Sequence, residues 1–306
     1  MIMTAESGVV ECARGGNISG ELDDTARLIV SGADRPRIVS TLTGCLAQFG
    51  GNIVDSQQFS TGTDEGMFFL RIEFQLPGLR RVLPELELAL EHYAKSYGLR
   101  WRVIPAADVK RMAIMVSRED HALNELLWRW QSGDFLADVS MVISNHPHHQ
   151  ATVEGLGIPY HYIPVTPDTK VAAEDKQLDL LSGNVDFVVL ARYMQVLSPR
   201  FVEYFPNRII NIHHGLLPAF AGANPYRAAK ERGVKIIGAT AHYVTSELDA
   251  GPIIDQDVIR IDHRQSVAEL RRRGRHLERS VLATAVSWHV QDRVIVHGNS
   301  TVTFTD

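Results

Sequence analysis

Cysteine is scarce in this chain, since only Cys12 and Cys45 occur among its 306 residues. Two isolated cysteines provide neither a disulfide framework nor the paired thiolates of a structural zinc site. Long apolar runs are also missing. The longest are of the kind "FVVLA" at 187–191, whereas a membrane-spanning helix needs about 20 apolar residues. The sequence therefore argues against a disulfide scaffold, a zinc ribbon and a transmembrane protein.

Positive charge is not in excess, because 31 Lys and Arg face 36 Asp and Glu, for a net charge of −5. Such a chain has no basic field to hold nucleic acid or an anionic membrane. Its first residues, "MIMTAESGVVECARGG", lack the basic start and apolar core of a secretory signal. The 45% of hydrophobic and 22% of charged residues are ordinary for a globular protein. These features predict a cytoplasmic enzyme or regulator without nucleic-acid or membrane partners.

The pattern along the chain changes between two halves, as the length of 306 residues would allow. Residues 1–24 are polar and contain glycine, which predicts a loosely ordered arm. Residues 25–107 follow the order strand, helix, strand, strand, helix, strand, which predicts a ferredoxin-like α+β sandwich. Residues 110–306 alternate short β-branched runs with helical stretches, which predicts a doubly wound, mostly parallel sheet. A hairpin, a long helix and a final hairpin complete this α/β half.

The stretch "NIHHGLLPAFAGANPY" at 211–226 stands directly after the apolar run "RII". If the strand continues, Asn211 and His213 point to one side and His214 to the other. In open α/β sheets, ligands lie beyond the carboxyl ends of such strands. An amide can donate to a developing oxyanion, and an imidazole can transfer a proton near neutral pH. The pair therefore indicates proton-transfer chemistry at a carbonyl group.

A carboxylate to hold the histidine is offered by the stretch "TSELDAGPII". Of its two acids, Asp249 precedes a glycine and a proline that fix the backbone, whereas Glu247 is predicted to face water. Other interpretations of these residues remain open, because His213 could be a hydrogen-bonded structural residue and Asp249 a turn cap. A zinc site is disfavoured, since no third ligand stands at helical spacing.

The segments "NIHHGLLPAFAG" and "VKIIGATAHYVTSELDAGPII" resemble the signature of the folate-dependent formyltransferase fold, over about residues 110–292. By this resemblance Asn211, His213 and Asp249 match the catalytic triad of that fold. The resemblance also implies two walls of a folate pocket, one in "ARYMQVLSPRF" and one in the loop before Asp249. The residues so implied are Met194, Gln195, Val196, Leu197, Thr245, Ser246, Glu247 and Leu248.

Two activities of this fold do not match the chain. Glycinamide ribonucleotide formyltransferases carry a glycine-rich loop after the first strand, which holds a phosphate at a helix N-terminus. The corresponding segment here is "VSREDHALNELL", in which Glu119 and Asp120 would repel that phosphate. Methionyl-tRNA formyltransferases add a basic C-terminal domain, and this chain is acidic overall.

The formyltetrahydrofolate deformylases, which carry an ACT-type domain before the formyltransferase fold, match better. The chain resembles them in "ADRPRIVSTLTGCLAQFGGNIVDSQQFS", "GMFFLRIEF", "SREDHALNELLWRW", "GANPY" and "VIVHGN". It departs from their pattern at Gly215, where a serine is expected, at Asn224, where a lysine is expected, and at Ala122, where a cysteine is familiar. None of these departures touches the proposed triad.

This resemblance implies hydrolysis of 10-formyltetrahydrofolate to tetrahydrofolate and formate, which would supply one-carbon and purine metabolism. It implies no metal or redox cofactor, because the folate is the substrate. For residues 25–107 it implies a homo-oligomer and an amino-acid effector, glycine or methionine, held by the loop and helix start in "ADRPRIVSTL". Two alternatives remain: formyl transfer to an amine substrate, and a regulator that binds folate and amino acid without turnover.

Overall fold

The computed structural model describes residues 22–62, 66–219 and 225–305. The predicted N-terminal arm therefore lies almost wholly outside the described residues, and so does Asn224. The chain divides into two compact units between Asp108 and Val109.

The first unit is an antiparallel sheet of four strands in the order β2-β3-β1-β4, with two helices. Its elements are β1 (Thr25–Ala33), α1 (Ile38–Gln48), β2 (Asn52–Ser60), β3 (Met67–Gln75), α2 (Leu79–Tyr97) and β4 (Arg100–Pro105). Both helices pack on the sheet face whose side chains alternate through β1 and β3 as Leu28, Val30, Leu70 and Ile72. The ferredoxin-like sandwich predicted from the sequence is confirmed.

Apolar spacing explains why α1 and α2 lie on that face. In α1, Ile38, Leu42, Cys45 and Leu46 are buried, which is the spacing of one side of a helix. In α2 the same role falls to Leu79, Leu86, Leu90 and Ala94. Helix α2 ends at Gly98, whose φ of 69° is the left-handed conformation that glycine adopts without strain.

The second unit contains a sheet of seven strands in the order β11-β10-β9-β8-β5-β6-β7. Strands β5 to β9 are paired in parallel, whereas β10 and β11 are antiparallel. The strands are β5 (Lys110–Val116), β6 (Ala137–Ser144), β7 (Tyr160–Tyr162), β8 (Phe187–Ala191), β9 (Ile209–His213), β10 (Ile236–Tyr243), β11 (Ile253–Arg260), β12 (Val294–His297) and β13 (Ser300–Thr303). The last two form a separate hairpin. This architecture confirms the predicted doubly wound, mostly parallel sheet.

Six helices cover the two faces of this sheet. They are α3 (His121–Ser132), α4 (Gln150–Glu154), α5 (Lys170–Leu181), α6 (Pro199–Tyr204), α7 (Pro225–Glu231) and α8 (Val267–Val290). One hydrophobic cluster contains residues of α3 and α8, and a second contains residues of α5 and α6. The sequence analysis did not predict α6 and α7, because helices of six and seven residues are too short to show a helical period.

The strand order reverses between β5 and β8, since the chain builds β6 and β7 on one side before it returns to the other. Ligands of doubly wound sheets bind at such a switch point. Ser117 follows β5, and its hydroxyl contacts the carbonyl of Tyr193, which follows β8. The same hydroxyl donates to Oδ1 of Asn145, after β6, at 2.7 Å. The loops that follow β5 and β8 therefore meet directly beside the reversal.

The long helix α8 is capped at both ends. Ser266 and Glu269 form a reciprocal capping box at its start. At its end, Nζ of Lys110 donates to the carbonyl of Val290 at 2.7 Å and pairs with Asp292 at 2.8 Å. Within the described part of the chain, neither α8 nor any other helix is long and apolar enough to cross a membrane.

Candidate active site

Strand β9 brings Asn211 and His213 to the same face of the sheet. The strand is largely buried, and His213 is only 4% exposed. Its antiparallel partner β10 sets His242 opposite Asn211, and Thr240 opposite His213. Cross-strand partners share a face, so a second imidazole stands beside the predicted pair.

Asp249 reaches the same place from the loop between β10 and β11. Its φ of 56° is the left-handed conformation. Two residues later, a Cβ on Gly251 would lie 1.9 Å from the carbonyl oxygen of Tyr243, so only glycine lets the loop return this close to β10. The result is that Oδ2 of Asp249 lies 3.2 Å from Nδ1 of His213. The carboxylate is 11% exposed.

His242 connects Asn211 to this carboxylate. Nδ1 of His242 lies 2.9 Å from the carbonyl oxygen of Tyr243, which can only accept, so Nδ1 carries the proton. Burial lowers the pKa of His242, which favours the neutral ring. Nε2 is then an acceptor, and it receives a hydrogen bond from Nδ2 of Asn211 at 3.1 Å. The same Nε2 lies 3.9 Å from Oδ1 of Asp249.

His242 was not among the site residues predicted from the sequence. In "GATAHYVT", His242 stands two residues after Thr240, so the two side chains lie on the same face of a strand. That face is also the face of Asn211 and His213 when β10 pairs with β9 in the observed register. Recognising it requires the register between β9 and β10, because the register alone decides which residue of β10 lies opposite Asn211.

His214 lies apart from the carboxylate. Its ring centroid is 5.8 Å from that of Tyr226 and 5.3 Å from that of His213. Burial, with the positive charge of Arg192, lowers the pKa of His214 to about 4. Near pH 7 this ring is therefore neutral and packs against Tyr226, whereas His213 faces Asp249.

The two predicted folate walls lie in the loops after β8 and β10. In the first loop Met194 and Val196 are 60% and 56% exposed, Gln195 is half-buried, and Leu197 is buried. In the second loop Thr245 is half-buried, and Ser246, Glu247 and Leu248 are exposed. Val244, at the start of the second loop, packs on the cluster that contains Leu197. Both loops thus start from one cluster and present exposed side chains.

The histidine-rich loop "HPHH" at 146–149 is held by hydrogen bonds to the ends of β5 and β6. His149 bonds the carbonyl of Ser117 at 3.0 Å, and the amide of His146 donates to Oγ of Ser144 at 3.1 Å. Burial lowers the pKa of His146. Among the residues that the structure describes, no group of three or more His, Cys, Asp or Glu is placed to hold a metal ion.

Comparison with known proteins adds family information to this geometry. A family model described as "Formyl transferase" matches residues 110–286, and one described as "ACT domain" matches residues 28–103. The formyltetrahydrofolate deformylase of Bacillus subtilis is 52% identical over 92% of this chain and 94% of that protein.

Solved structures give the same result for the fold. The crystal structure of a formyltetrahydrofolate deformylase from Pseudomonas syringae superposes with a TM-score of 0.88 at 43% identity, covering 92% of this chain and 94% of that one. Glycinamide ribonucleotide transformylase 1 from Symbiobacterium toebii has a TM-score of 0.61 at 30% identity, covering 64% of this chain and 95% of that one. The second likeness therefore covers less of this chain than the first.

Proposed function

The chain belongs to the formyltetrahydrofolate deformylases, and from that membership we propose how its residues hydrolyse 10-formyltetrahydrofolate to tetrahydrofolate and formate. The enzyme is a hydrolase of a formamide C–N bond, and the folate is its substrate. The observation that carries the proposed mechanism is the contact between Nδ1 of His213 and the carboxylate of Asp249, 3.2 Å apart beside Asn211.

We assign the first step to water, which attacks the formyl carbon and forms a tetrahedral oxyanion. Asn211 stabilises that oxygen. One of its two amide N–H groups points to His242, so the arrangement fixes the plane of the amide and directs the other N–H. An amide held in this way needs no reorganisation when the charge develops.

His213 and Asp249 handle the protons in this mechanism. Asp249 binds Nδ1, which orients the ring and stabilises its protonated form. Nε2 is then the nitrogen that exchanges a proton with the reacting groups. Nε2 takes the proton that the attacking water loses and gives it to the folate nitrogen as the bond between that nitrogen and the formyl carbon breaks. Formic acid leaves and loses its remaining proton to solvent as formate.

The folate itself is assigned to the two loops after β8 and β10. Met194, Val196 and Leu248 expose large apolar side chains, which suit the flat ring of a pterin. Gln195 and the polar residues Thr245, Ser246 and Glu247 supply hydrogen-bonding groups beside them, and Leu197 supports the first loop from the core.

Formyl transfer to an amine is the alternative that the likeness to glycinamide ribonucleotide transformylase raises. The start of α3 argues against a phosphate-bearing amine. Glu119 stands there, and its carboxylate already pairs with Arg275 at 3.2 Å. A phosphate at this helix start would therefore meet the carboxylates of Glu119 and Asp120.

Formate release from 10-formyltetrahydrofolate, with and without added amines, tests the proposal. We expect formate at the same rate in both conditions. Asp249→Asn keeps the shape and removes the charge, so we expect kcat to fall on the order of 10²-fold or more while KM changes little. A formylated amine, or a variant that loses binding but keeps turnover at saturation, would contradict the assignment.

For the first unit we propose amino-acid binding at the start of α1. An open depression of about 780 Å³ lies there, lined by Asp34, Arg37, Ser40, Gln58 and Ser60 among others. The first-turn amides of α1 and the guanidinium of Arg37 suit a carboxylate, and Asp34 suits an ammonium group. Glycine and methionine are the effectors proposed for it.

Two glycines near α1 lie away from this depression. Gly50 and Gly51 follow the C-terminal end of α1, and φ of Gly50 is 83°. A helix of 11 residues spans about 16 Å. These glycines therefore end the helix and do not shape the depression at its start.

We also propose that the first unit pairs with another copy of the chain. Strand β2 is an edge of its sheet, and it exposes Ile53, Val54 and Phe59 by 37%, 55% and 49%. An exposed apolar edge favours strand pairing with a second chain. A homo-oligomer built through residues 25–107 follows, and sedimentation of the whole chain measures it.

A further inference from the structure

Glu278 is a buried carboxylate in the middle of α8, and the proposed mechanism does not use it. It is 1% exposed. Its Oε1 accepts a hydrogen bond from the hydroxyl of Tyr226 at 2.6 Å, and its Oε2 lies 2.8 Å from Nε2 of His121 and 3.4 Å from Nε of Arg192. Burial alone raises the pKa of Glu278, but the bond to His121, the charge of Arg192 and the bond to Tyr226 together lower it to about 2. The group is thus an ion held by three partners.

These three partners come from three different connections of the sheet. His121 begins α3, which follows β5; Arg192 follows β8 directly; and Tyr226 lies at the start of α7, which follows β9. The strands concerned are parallel neighbours, and their carboxyl ends carry the site. One carboxylate on α8 therefore contacts residues that follow three adjacent strands of the sheet.

The connection after β8 has a backbone that needs such support. Arg192 and Met194 have φ of 63° and 57°, in the left-handed region that residues with a Cβ seldom occupy. Each such residue is strained, so it persists only where its surroundings hold it. The buried ion pair between Arg192 and Glu278 holds the segment that continues into Met194–Leu197.

Gly274 gives independent evidence that the contact between Tyr226 and Glu278 is specific. It stands one turn before Glu278 on the same face of α8. A Cβ at this position would lie 1.9 Å from the hydroxyl oxygen of Tyr226 and 2.4 Å from its Cζ. Glycine inside a helix is destabilising relative to alanine. Its presence here leaves the room that Tyr226 needs to reach the carboxylate.

The cluster also borders the catalytic strand. His214 follows His213 directly, and its ring lies between those of His213 and Tyr226, with centroid distances of 5.3 and 5.8 Å. A shift of Tyr226 would therefore displace the ring of His214, which packs against the ring of His213.

We propose that Glu278 is a positioning residue, which fixes His121 at the start of α3, Arg192 after β8 and Tyr226 at the start of α7, and thereby shapes the folate wall formed by Met194–Leu197. This role rests on the proposed function, since the wall is assigned to the folate. It does not make Glu278 a catalytic residue. Removing the Glu278 carboxylate should make Met194–Leu197 more mobile, because Arg192 loses its counter-ion. The contact between His213 and Asp249 should be unchanged.

The first test compares Glu278→Gln with Glu269→Gln, a matched change on the same helix. Glu269 is exposed in the first turn, so its variant controls for the removal of a carboxylate from this helix. For Glu278→Gln we expect KM for the folate to rise on the order of tenfold or more, with a smaller fall in kcat. Glu269→Gln should leave KM unchanged. Equal KM values in the folded Glu278→Gln variant and the wild type would overturn the proposal.

A second test uses the room beside Gly274. Gly274→Ala should raise KM because the new methyl group displaces Tyr226 from Glu278. In a Tyr226→Ala background the same substitution has no ring to displace, so it should have no further effect on KM. Equal and additive effects in both backgrounds would show that Gly274 acts through helix stability alone.

Hydrogen exchange separates this proposal from the proposed function. Glu278→Gln should speed amide exchange together in residues 192–197 and 225–231, and Glu269→Gln should not. This readout needs no turnover, and slow exchange retained in strands β5 and β8 shows that the variant is folded. Wild-type protein that releases no formate would defeat the proposed function alone. Unchanged exchange in those two segments would defeat the positioning role alone.

Discussion

The orientation of Asn211 depends on the protonation of a neighbouring histidine. Because Nδ1 of His242 donates to a backbone carbonyl, its Nε2 must accept, and only the amide nitrogen of Asn211 can donate to it. A reversed amide would place two acceptors together. The neutral state of His242, which burial favours, therefore directs an N–H group of Asn211 rather than its oxygen. His242 acts in this way through Asn211.

The choice between two adjacent histidines can be tested directly. We expect His213→Ala to lower formate release on the order of 10²–10⁴-fold, because it removes the ring that contacts Asp249. We expect His214→Ala to fold and to keep at least partial activity, because His214 packs on Tyr226 instead. Turnover of both purified variants, with circular dichroism to check folding, measures this. Equal losses in two folded variants would contradict the assignment by strand face.

The low pKa of His214 predicts how stability depends on pH. The pKa is about 4 in the folded chain and about 6.5 when unfolded, so between these values only the unfolded state takes up the proton. Stability from this group is therefore full above about pH 6.5 and falls as the pH drops to about 4. The fall amounts to about 3 kcal/mol at most.

Urea unfolding at several pH values, for the wild type and His214→Ala, measures this dependence. The difference in unfolding free energy between the two proteins should stay constant above about pH 6.5 and change steadily between about 6.5 and 4. The charged groups nearest the ring are Arg192, Glu278, His213 and Asp249, and they are present in both proteins. Parallel curves across this range would contradict the prediction.

At the scale of elements, alternation and helical spacing were sufficient to predict most of the fold. Strand β9 illustrates why. From Ile210 onward its apolar residues alternate with the polar residues of the site, so the sequence predicts both the strand and the face that carries Asn211 and His213. The short helices α6 and α7 could not be predicted, since their positions depend on packing rather than on a period. The register that brings His242 to Asn211 depends on two strands at once.

Helix α8 shows what the sequence conceals within a correctly predicted element. Glu278 stands in the charged stretch "RRRGRHLERS", which by itself indicates a solvated face. In the structure it is buried, because three connections of the sheet bring partners to it. Those partners are distant from Glu278 in the sequence, so only the tertiary structure identifies them. Gly274 is the only local sign, since a glycine inside a helix usually has a packing reason.

At the scale of the whole molecule, the two units divide binding tasks between them. The second unit contains the proposed triad, the two loops that we assign to folate and the Glu278 cluster. The first unit contains the depression at the start of α1 and the exposed edge of β2. A hydrolase that releases formate without control would waste one-carbon units. We therefore expect the first unit to regulate the second in addition to joining subunits.

Binding of a small amino acid to the first unit should change the activity of the second. We expect glycine or methionine to alter the folate KM or kcat of the full chain by a factor of about 5 to 150, the usual range of coupling between sites. Asp34→Asn removes the carboxylate assigned to the ammonium group and should abolish the response. Glu85→Gln, an exposed change on α2 of the same unit, should retain it. Calorimetry on the full chain measures binding, and steady-state assays with each amino acid measure coupling. Absence of both heat and a rate change, together with an oligomer that dissociates when residues 25–107 are deleted, would leave the first unit an assembly domain only.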